Sequence, residues 1–599
     1  MTYCGTVWLT FVVSLSTVLG LQQLTQDSRR ELKEFVQAVM KCNDIPGVQV
    51  AMTTRNQTVL AEGYGAKKLA TGEPMTSSTL QCIGSNTKSF TAMLAVMAVQ
   101  EGKMDWDKPI TDYFGPDFKL QSEYRTQHVS IKDLLSHRTG MPSYWGVSAA
   151  GFNTTFQEVA RRIKDFPVQY SLRDRFVYSN YGFVLAAAAI EKVLGETWEQ
   201  SVQRRLLDKI GMDSTRFSPA MSAQDWSQTA YSVYQHKNES FQEYHEPQLA
   251  DAVGSACPAG CIFSTPEDMA KWGRFIINGG VTDKGERLVD LNVMRTMFIP
   301  VFPIAGFLLT RSYFPVDSTV DDYALGMMSG YYAGYKKLFH TGGYNGYNSI
   351  QTYLPGPRVG VYVAVTASGR GQPVPLTKEL VTSYALDLLT DNTPWLNAST
   401  VCTFPAPWLP PSGRSSPQTT TPVPPTPPII GRSVDGGILT DAHKLDFDFD
   451  FPDHGRLDPR TYNIHSGDRS RKAKLEGGHV DIKRNVVISE RYSRQGLTGA
   501  KSFLNIYEGT YSHPAFGDFY IKMEGDKLRY HYGTLLKGEL TPTAQPGEFL
   551  QNFDYPWEPL DELSAVVPVL FKAVGEPGKS MAAVIYFLEP TYPPTFYRA

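Results

Sequence analysis

Residues 85–103 read SNTKSFTAMLAVMAVQEGK, and the architecture turns on them. From Ser89 to Val99 the run is largely apolar, and Gly102 closes it. A segment this apolar predicts a helix. Its head carries two polar residues, Ser85 and Lys88, three positions apart. Residues at that spacing share one helix face. Free N–H groups and the positive end of the helix dipole at Ser85 favour a developing oxyanion. A serine hydroxyl is a poor nucleophile until a base takes its proton. A lysine enclosed in a pocket loses enough basicity to be that base.

Two further short motifs lie downstream. Tyr178-Ser179-Asn180 precedes the apolar segment NYGFVLAAAAIEKVLG, a second helix with Gly195 as its stop. A tyrosine near a lysine can relay the serine proton, and an asparagine amide both donates and accepts towards a substrate amide. His340-Thr341-Gly342-Gly343 precedes the strand pattern SIQTYLP. The glycines let a strand edge approach a substrate closely. The Gly343 N–H is a candidate second oxyanion donor.

The flanking chain predicts a sheet covered by helices. LTQDSRRELKEFVQAVMK places Leu32, Phe35, Val36 and Val39 at helical spacing, and GVQVAMTTR reads as a strand. SIQTYLP and VGVYVAVTAS read as strands joined by the turn PGPR, and KELVTSYALDLLTD as a last helix.

Ser85-x-x-Lys88, then Tyr178-x-Asn180, then His340-x-Gly342, in that order, resemble the β-lactamase-like serine hydrolases. That group includes class C β-lactamases, penicillin-binding proteins, D-aminopeptidases, certain esterases and CubicO-type peptidases of the S12 kind. GYGAKKLATGEPMTSSTLQCIGSNTKSFTAM, EGKMDWDKPITDYF and IKDLLSHRTGMP are similar to the family's segments around the nucleophile. AGCIFSTPEDMAKWGRF is similar to its glycine-rich turn before a helix, with Cys261 where a glycine is usual. The likeness spans roughly residues 30–395. It implies an α/β fold, an antiparallel sheet flanked by helices plus a helical subdomain.

The resemblance also assigns roles. It implies Ser85 as nucleophile, Lys88 and Tyr178 as its proton-handling partners, and Asn180, His340, Thr341, Gly342 and Gly343 as the substrate-binding set. It implies no cofactor and no metal, and a small-molecule or peptide ester or amide as substrate. His137, in LLSHRTG, reads as a hydrogen-bonded loop histidine. One position departs from the β-lactamase pattern. His340 stands where those enzymes carry a lysine whose cation meets a substrate carboxylate, so β-lactam hydrolysis is not the expected activity.

The chain has 599 residues, enough for two or three folding units. Residues 1–20 read as a signal peptide with an apolar run VWLTFVVSLSTVLG, residues 21–398 as the hydrolase domain, and 399–436 as a Pro/Ser/Thr-rich linker. Residues 437–599 read as a β-rich region. Within it, YEGTYSHPAFGDFYIK and VIYFLEPTYPPTFYR resemble the lipocalin-like domain appended to some CubicO-type hydrolases, over about 505–599. That domain supports assembly or restricts access in the group it comes from, so a homo-oligomer is one expectation here.

Net charge is −3, which gives no reason to expect a nucleic-acid partner, and no membrane contact is expected once the signal is removed. Sequons at Asn56, Asn153, Asn238 and Asn397 fit a secreted glycoprotein. The mature chain keeps Cys42, Cys82, Cys257, Cys261 and Cys402, allowing up to two disulfides and one free thiol, and Cys257 and Cys261 are close enough to pair across a turn. LDFDFDF places Asp446, Asp448 and Asp450 on one face of a strand, read as a solvated face rather than a calcium site. The whole architecture further resembles gigasin-type β-lactamase-like proteins of molluscan shell matrix. That likeness implies residence in an extracellular matrix, and it keeps open a rival reading, a retired enzyme with a structural role there.

Overall fold

The computed structural model describes residues 24–144, 154–235, 241–245, 247, 254–304, 318–344, 346–369, 374–403, 504–554, 568–574, 581–590 and 592–599. The expected signal peptide, the linker and the LDFDFDF strand lie outside these residues. Among the described residues no helix is long and apolar enough to cross a membrane.

The first part is built on an antiparallel sheet. Its strands are β1 (Gly47–Thr54), β2 (Thr58–Lys68), β3 (Glu73–Pro74), β4 (Phe302–Pro303), β5 (Asp322–Tyr323), β6 (Met328–Tyr332), β7 (Tyr335–Tyr344), β8 (Tyr347–Leu354) and β9 (Val359–Val365). Their spatial order is β3-β2-β1-β9-β8-β7-β6-β5-β4, so β1 joins β9 from opposite ends of the domain. β8 and β9 are buried at every position. Such a strand needs cover on both faces. Val361, Val363 and Val365 join the core beneath α1 (Gln26–Cys42) and a C-terminal helix over Val374–Leu389, while Tyr362 and Ala364 face the opposite core. Leu32, Phe35, Val36 and Val39 are the buried residues of α1, as their spacing predicts.

The opposite face carries α2 (Thr87–Gln100), α3 (Asn180–Leu194) and α4 (Pro266–Ile277). Every residue of α2 from Thr87 to Ala98 is buried. Gly195 closes α3 at φ 72°, a left-handed conformation that suits glycine. α4 starts at Thr265, whose hydroxyl accepts the Asp268 N–H, with Pro266 in the first turn. The Cys42–Cys402 disulfide ties α1 to the end of this part of the chain, across 360 positions.

The C-terminal part is a closed eight-stranded barrel, Gly509–His513, Gly517–Glu524, Lys527–Tyr532, Leu536–Pro542, Glu548–Phe553, Pro568–Ala573, Met581–Ile585 and Thr595–Arg598. The last strand closes on the first, with Tyr511 opposite Arg598. Alternation sorts its side chains: Phe519 and Ile521 are buried, and Tyr520 between them is exposed. The fold is thus the β-lactamase-like α/β architecture followed by a lipocalin-like all-β domain.

Contacts between described residues tie the barrel to the first part. Glu589 accepts the buried Tyr144 N–H at 3.1 Å. Phe516 packs its ring 4.8 Å from that of Tyr144 and 4.7 Å from that of Phe166.

Candidate active site

Ser85 lies in a 3-10 turn, Gly84–Asn86, that runs straight into α2. The turn is fixed from below. Asn86 donates to Ser349 Oγ at 2.7 Å, and Ser349 donates to the Ile83 carbonyl at 2.8 Å. β7 lies against the same turn. A Cβ on Gly342 would come 1.9 Å from the Ile83 carbonyl oxygen, and one on Gly84 (φ 51°) would come 2.7 Å from Gly343 N. The glycines expected to admit a substrate are therefore needed first to bring β7 against the nucleophile turn. That contact sets the Gly343 backbone beside the turn that carries Ser85.

Two motifs meet at Ser85, and the third abuts its turn through Gly342 and Gly343. Lys88 Nζ is 2.9 Å from Ser85 Oγ, and the Tyr178 hydroxyl donates to Ser85 Oγ at 2.8 Å. Lys88 Nζ also donates to Asn180 Oδ1 at 2.8 Å and to the Ala259 carbonyl at 3.0 Å. It lies 4.7 Å from the centre of the Tyr178 ring. Lys88 is fully buried, and burial drives its amine well below the ordinary lysine value. Burial pushes the Tyr178 phenol up, against a smaller pull from its bond to Ser85. The geometry thus pairs an amine that sheds its proton easily with a phenol that keeps its own.

Ala259 belongs to the helical turn Cys257–Gly260, closed by the Cys257–Cys261 disulfide. Its carbonyl is held in place because the neighbouring Pro258 carbonyl accepts Thr91 Oγ1 at 2.7 Å. Cys82 is left as the buried free thiol.

Asn180, expected to hold substrate, is engaged at both ends of its amide. Its Nδ2 donates to Ser143 Oγ at 3.2 Å, while its Oδ1 faces Lys88. His340, expected in the substrate-binding set, is fully buried. Its Nε2 is 2.9 Å from the Tyr323 hydroxyl and its Nδ1 2.5 Å from the Thr341 carbonyl. Burial, helped by Lys88 nearby, lowers its pKa to about 3. Thr341 is half-buried.

His137 is also buried, with Nδ1 accepting the Ser179 N–H at 3.0 Å and Nε2 3.1 Å from Tyr323 Oη. Its φ of 57° is unusual for a side chain larger than glycine. Bonds at both its main chain and its ring hold it there, the Val177 N–H donating to its carbonyl at 2.8 Å.

Asp133 anchors the same loop through Arg138 and Arg173, both bonded to its buried carboxylate. Of the sequons, Asn56 and Asn397 are exposed, and Asn153 and Asn238 lie outside the described residues. Among the described residues no cluster of ligating side chains could hold a metal ion.

Sequence reasoning missed three partners: Tyr323, Ser143 and the Ala259 carbonyl. The first two carry no motif, and a main-chain oxygen has no residue type to read.

The Beta-lactamase family model matches residues 32–386. The chain belongs to the Beta-lactamase family. An unguisins hydrolase (ungD) from Aspergillus violaceofuscus is 29% identical over 355 residues, which are 56% of this chain and 60% of that relative. Protein flp from Staphylococcus aureus is 23% identical over 272 residues, 45% of this chain and 52% of that one. The chain thus spans only part of the length of these curated relatives. The octameric penicillin-binding protein homologue from Pyrococcus abyssi superposes with a TM-score of 0.50 at 18% identity, over 95% of this chain and 99% of that chain. The D-amino acid amidase from Ochrobactrum anthropi SV3 gives 0.51 at 21% identity, over 61% of this chain and 99% of its own. The structural neighbours share the fold.

Proposed function

We propose that this protein is a secreted serine hydrolase that forms an acyl-enzyme on Ser85 with an ester or amide substrate. The observation that carries the reading is the environment of Lys88 Nζ. Two fixed acceptors, Asn180 Oδ1 and the Ala259 carbonyl, take two amine hydrogens. A neutral amine held that way turns its lone pair to Ser85 Oγ. Lys88 then removes the Ser85 proton as Oγ attacks the substrate carbonyl. Tyr178, protonated and bonded to Oγ, hands its proton to the leaving group and recovers one through Lys88. Backbone N–H groups of Ser85 and Gly343 take the oxyanion. A hydrolase name on the fungal relative and an amidase name on one structural neighbour support amide or ester bonds as the target.

A chain that had lost its activity would have no reason to keep a fully buried lysine pinned against a serine. This favours the enzyme over a purely structural matrix protein. Two disulfides and exposed sequons at Asn56 and Asn397 support an oxidising, extracellular location, with extracellular matrix as a setting. The octameric neighbour makes a homo-oligomer part of the proposal. Ser85→Ala should abolish ester hydrolysis and leave the far-UV spectrum and melting temperature unchanged. Turnover retained in that variant overturns the assignment.

A further inference from the structure

Three consecutive carbonyls of the turn Cys257–Gly260 receive donors from the segment that carries the nucleophile. The Pro258 carbonyl accepts Thr91 Oγ1 at 2.7 Å, the Ala259 carbonyl accepts Lys88 Nζ at 3.0 Å, and the Gly260 carbonyl accepts the Cys82 thiol at 3.6 Å. Cys82 precedes Ser85 in the chain, and Lys88 and Thr91 follow it. The backbone leaving the turn continues the contact. The Ile262 N–H donates to Thr87 Oγ1 at 3.3 Å, and the Ile262 carbonyl accepts the Ile83 N–H at 2.9 Å. One short stretch of backbone thus holds the nucleophile segment on both sides of Ser85. The direction of Lys88 Nζ depends on where that stretch puts the Ala259 oxygen.

The turn by itself would hold that oxygen poorly. Four residues are too few for a helix to persist alone. Pro258 brings no N–H, and Gly260 has the freest backbone of any residue type. The Cys261 N–H donates to the Cys257 carbonyl at 3.1 Å, and the Cys257–Cys261 disulfide joins the same two residues, both buried. A crosslink stabilises a fold by restricting the unfolded chain, and that gain grows with the loop it closes. Cys42–Cys402 closes a separation of 360 positions and Cys257–Cys261 one of 4. The short bond therefore restricts the unfolded chain little, and its effect lies in the local geometry it fixes.

We infer that the Cys257–Cys261 disulfide is a positioning element for Lys88: it fixes the Ala259 carbonyl as the acceptor that turns the amine lone pair towards Ser85, so the site is complete only in the oxidised chain. This rests on the acyl-enzyme reading of Ser85. Without the bond the peptide planes of the turn are free to rotate, and one Lys88 hydrogen loses its fixed acceptor. The amine then spends less time with its lone pair on Ser85 Oγ, and proton removal slows. The Tyr178 bond to Ser85 and the packing of Gly343 against Gly84 are made by other elements. The loss should therefore fall on kcat more than on KM.

The test uses the full chain, with Cys257→Ala/Cys261→Ala as the variant and Cys42→Ala/Cys402→Ala as the control, all assayed well below their melting temperatures. The variant should lower kcat on a short ester roughly tenfold or more, with a smaller change in KM and little change in melting temperature. The control should do the reverse, melting lower while keeping its kcat. A double-mutant cycle then asks whether the bond acts through the lysine. Lys88→Ala slows fluorophosphonate labelling of Ser85. Removing the disulfide from that variant should slow labelling by no more than about twofold further, against roughly tenfold in the parent. Equal factors in the two backgrounds, a variant that keeps its kcat, or a control that loses as much each overturn the positioning role. If the alanine pair does not fold, Cys257→Ala alone breaks the same bond and is judged in the same way. Failure of both to fold makes the bond a folding requirement and also overturns the inference. With Ser85 labelled in the parent and kcat kept by the variant, the positioning role fails alone. With Ser85 unlabelled in the folded parent, the acyl-enzyme reading fails and takes the positioning role with it.

Discussion

Asn180 Oδ1 accepts a hydrogen bond from Lys88 Nζ at 2.8 Å, and the Asn180 amide nitrogen reaches Ser143 Oγ at 3.2 Å on its other side. The asparagine of the second motif therefore orients the lysine of the first. An anion in its place would favour the ammonium form of Lys88. Asn180→Asp should move the acid limb of the kcat/KM profile up by about one pH unit or more and slow hydrolysis at neutral pH roughly tenfold. A pH–rate profile on a short ester checks this. An acid limb unchanged from the parent would show that Asn180 does not tune Lys88.

The neutral His340 leaves the third motif without the cation that a β-lactam carboxylate needs. Short-chain esters and small amides should therefore be hydrolysed faster than a cephalosporin. Initial rates on the three substrate types decide it, and a cephalosporin turned over more efficiently than every ester tested contradicts the reading.

How far the site could be read in advance depended on the kind of contact. Ser85 and Lys88 were legible because two polar residues at i and i+3 head an otherwise apolar helix. α1 was legible because burying one face imposes a helical period on its side chains, and β8 and β9, buried on both faces, were legible as short runs on either side of the turn PGPR. Tyr323 was not. It lies in VDDYALG with no pattern of its own, and it meets His137, 186 positions away in the chain, only through the tertiary fold. His340 was read as substrate-facing because its motif was legible but the direction of its ring was not. The expected Cys257–Cys261 proximity carried information because four positions cannot separate two residues far, whereas Cys42 and Cys402 meet only through the tertiary fold.

Acid should weaken the folded state through His340. Its ring takes a proton near the ordinary value of 6.5 when unfolded but only near about 3 when buried. Between these values the unfolded chain binds more protons, so stability is full above about 6.5 and falls as pH drops towards about 3. Each unit of such a shift corresponds to about 1.4 kcal/mol. Burial also lowers His513 in the barrel, to about 4, with the same sign. Melting temperatures from neutral to mildly acidic pH check this. His340→Gln should flatten the decline, and a parent melting temperature insensitive to pH in this range contradicts it.

Removing the barrel should alter catalysis without abolishing it. The cut belongs after Thr403, since ending the chain near Asn397 would remove Cys402 and with it the bond to Cys42. Loss of Glu589 strips the Tyr144 N–H of its acceptor, one residue from the Ser143 that holds Asn180. A buried N–H left unpaired costs about 1–3 kcal/mol, so this loop should shift. Truncated and full-length proteins should differ in sedimentation or in their rates on esters of increasing size. Identical behaviour in both assays would make the barrel irrelevant to the site.

Everything proposed for catalysis depends on Ser85 being activated by Lys88 and Tyr178 to form an acyl-enzyme. Incubating the folded full-length protein with a fluorophosphonate probe and mapping the modified peptide puts this to the proof. A single adduct on Ser85 is expected, absent from Ser85→Ala and strongly slowed in Lys88→Ala. An adduct on another residue, or none on protein whose fold is verified, contradicts it.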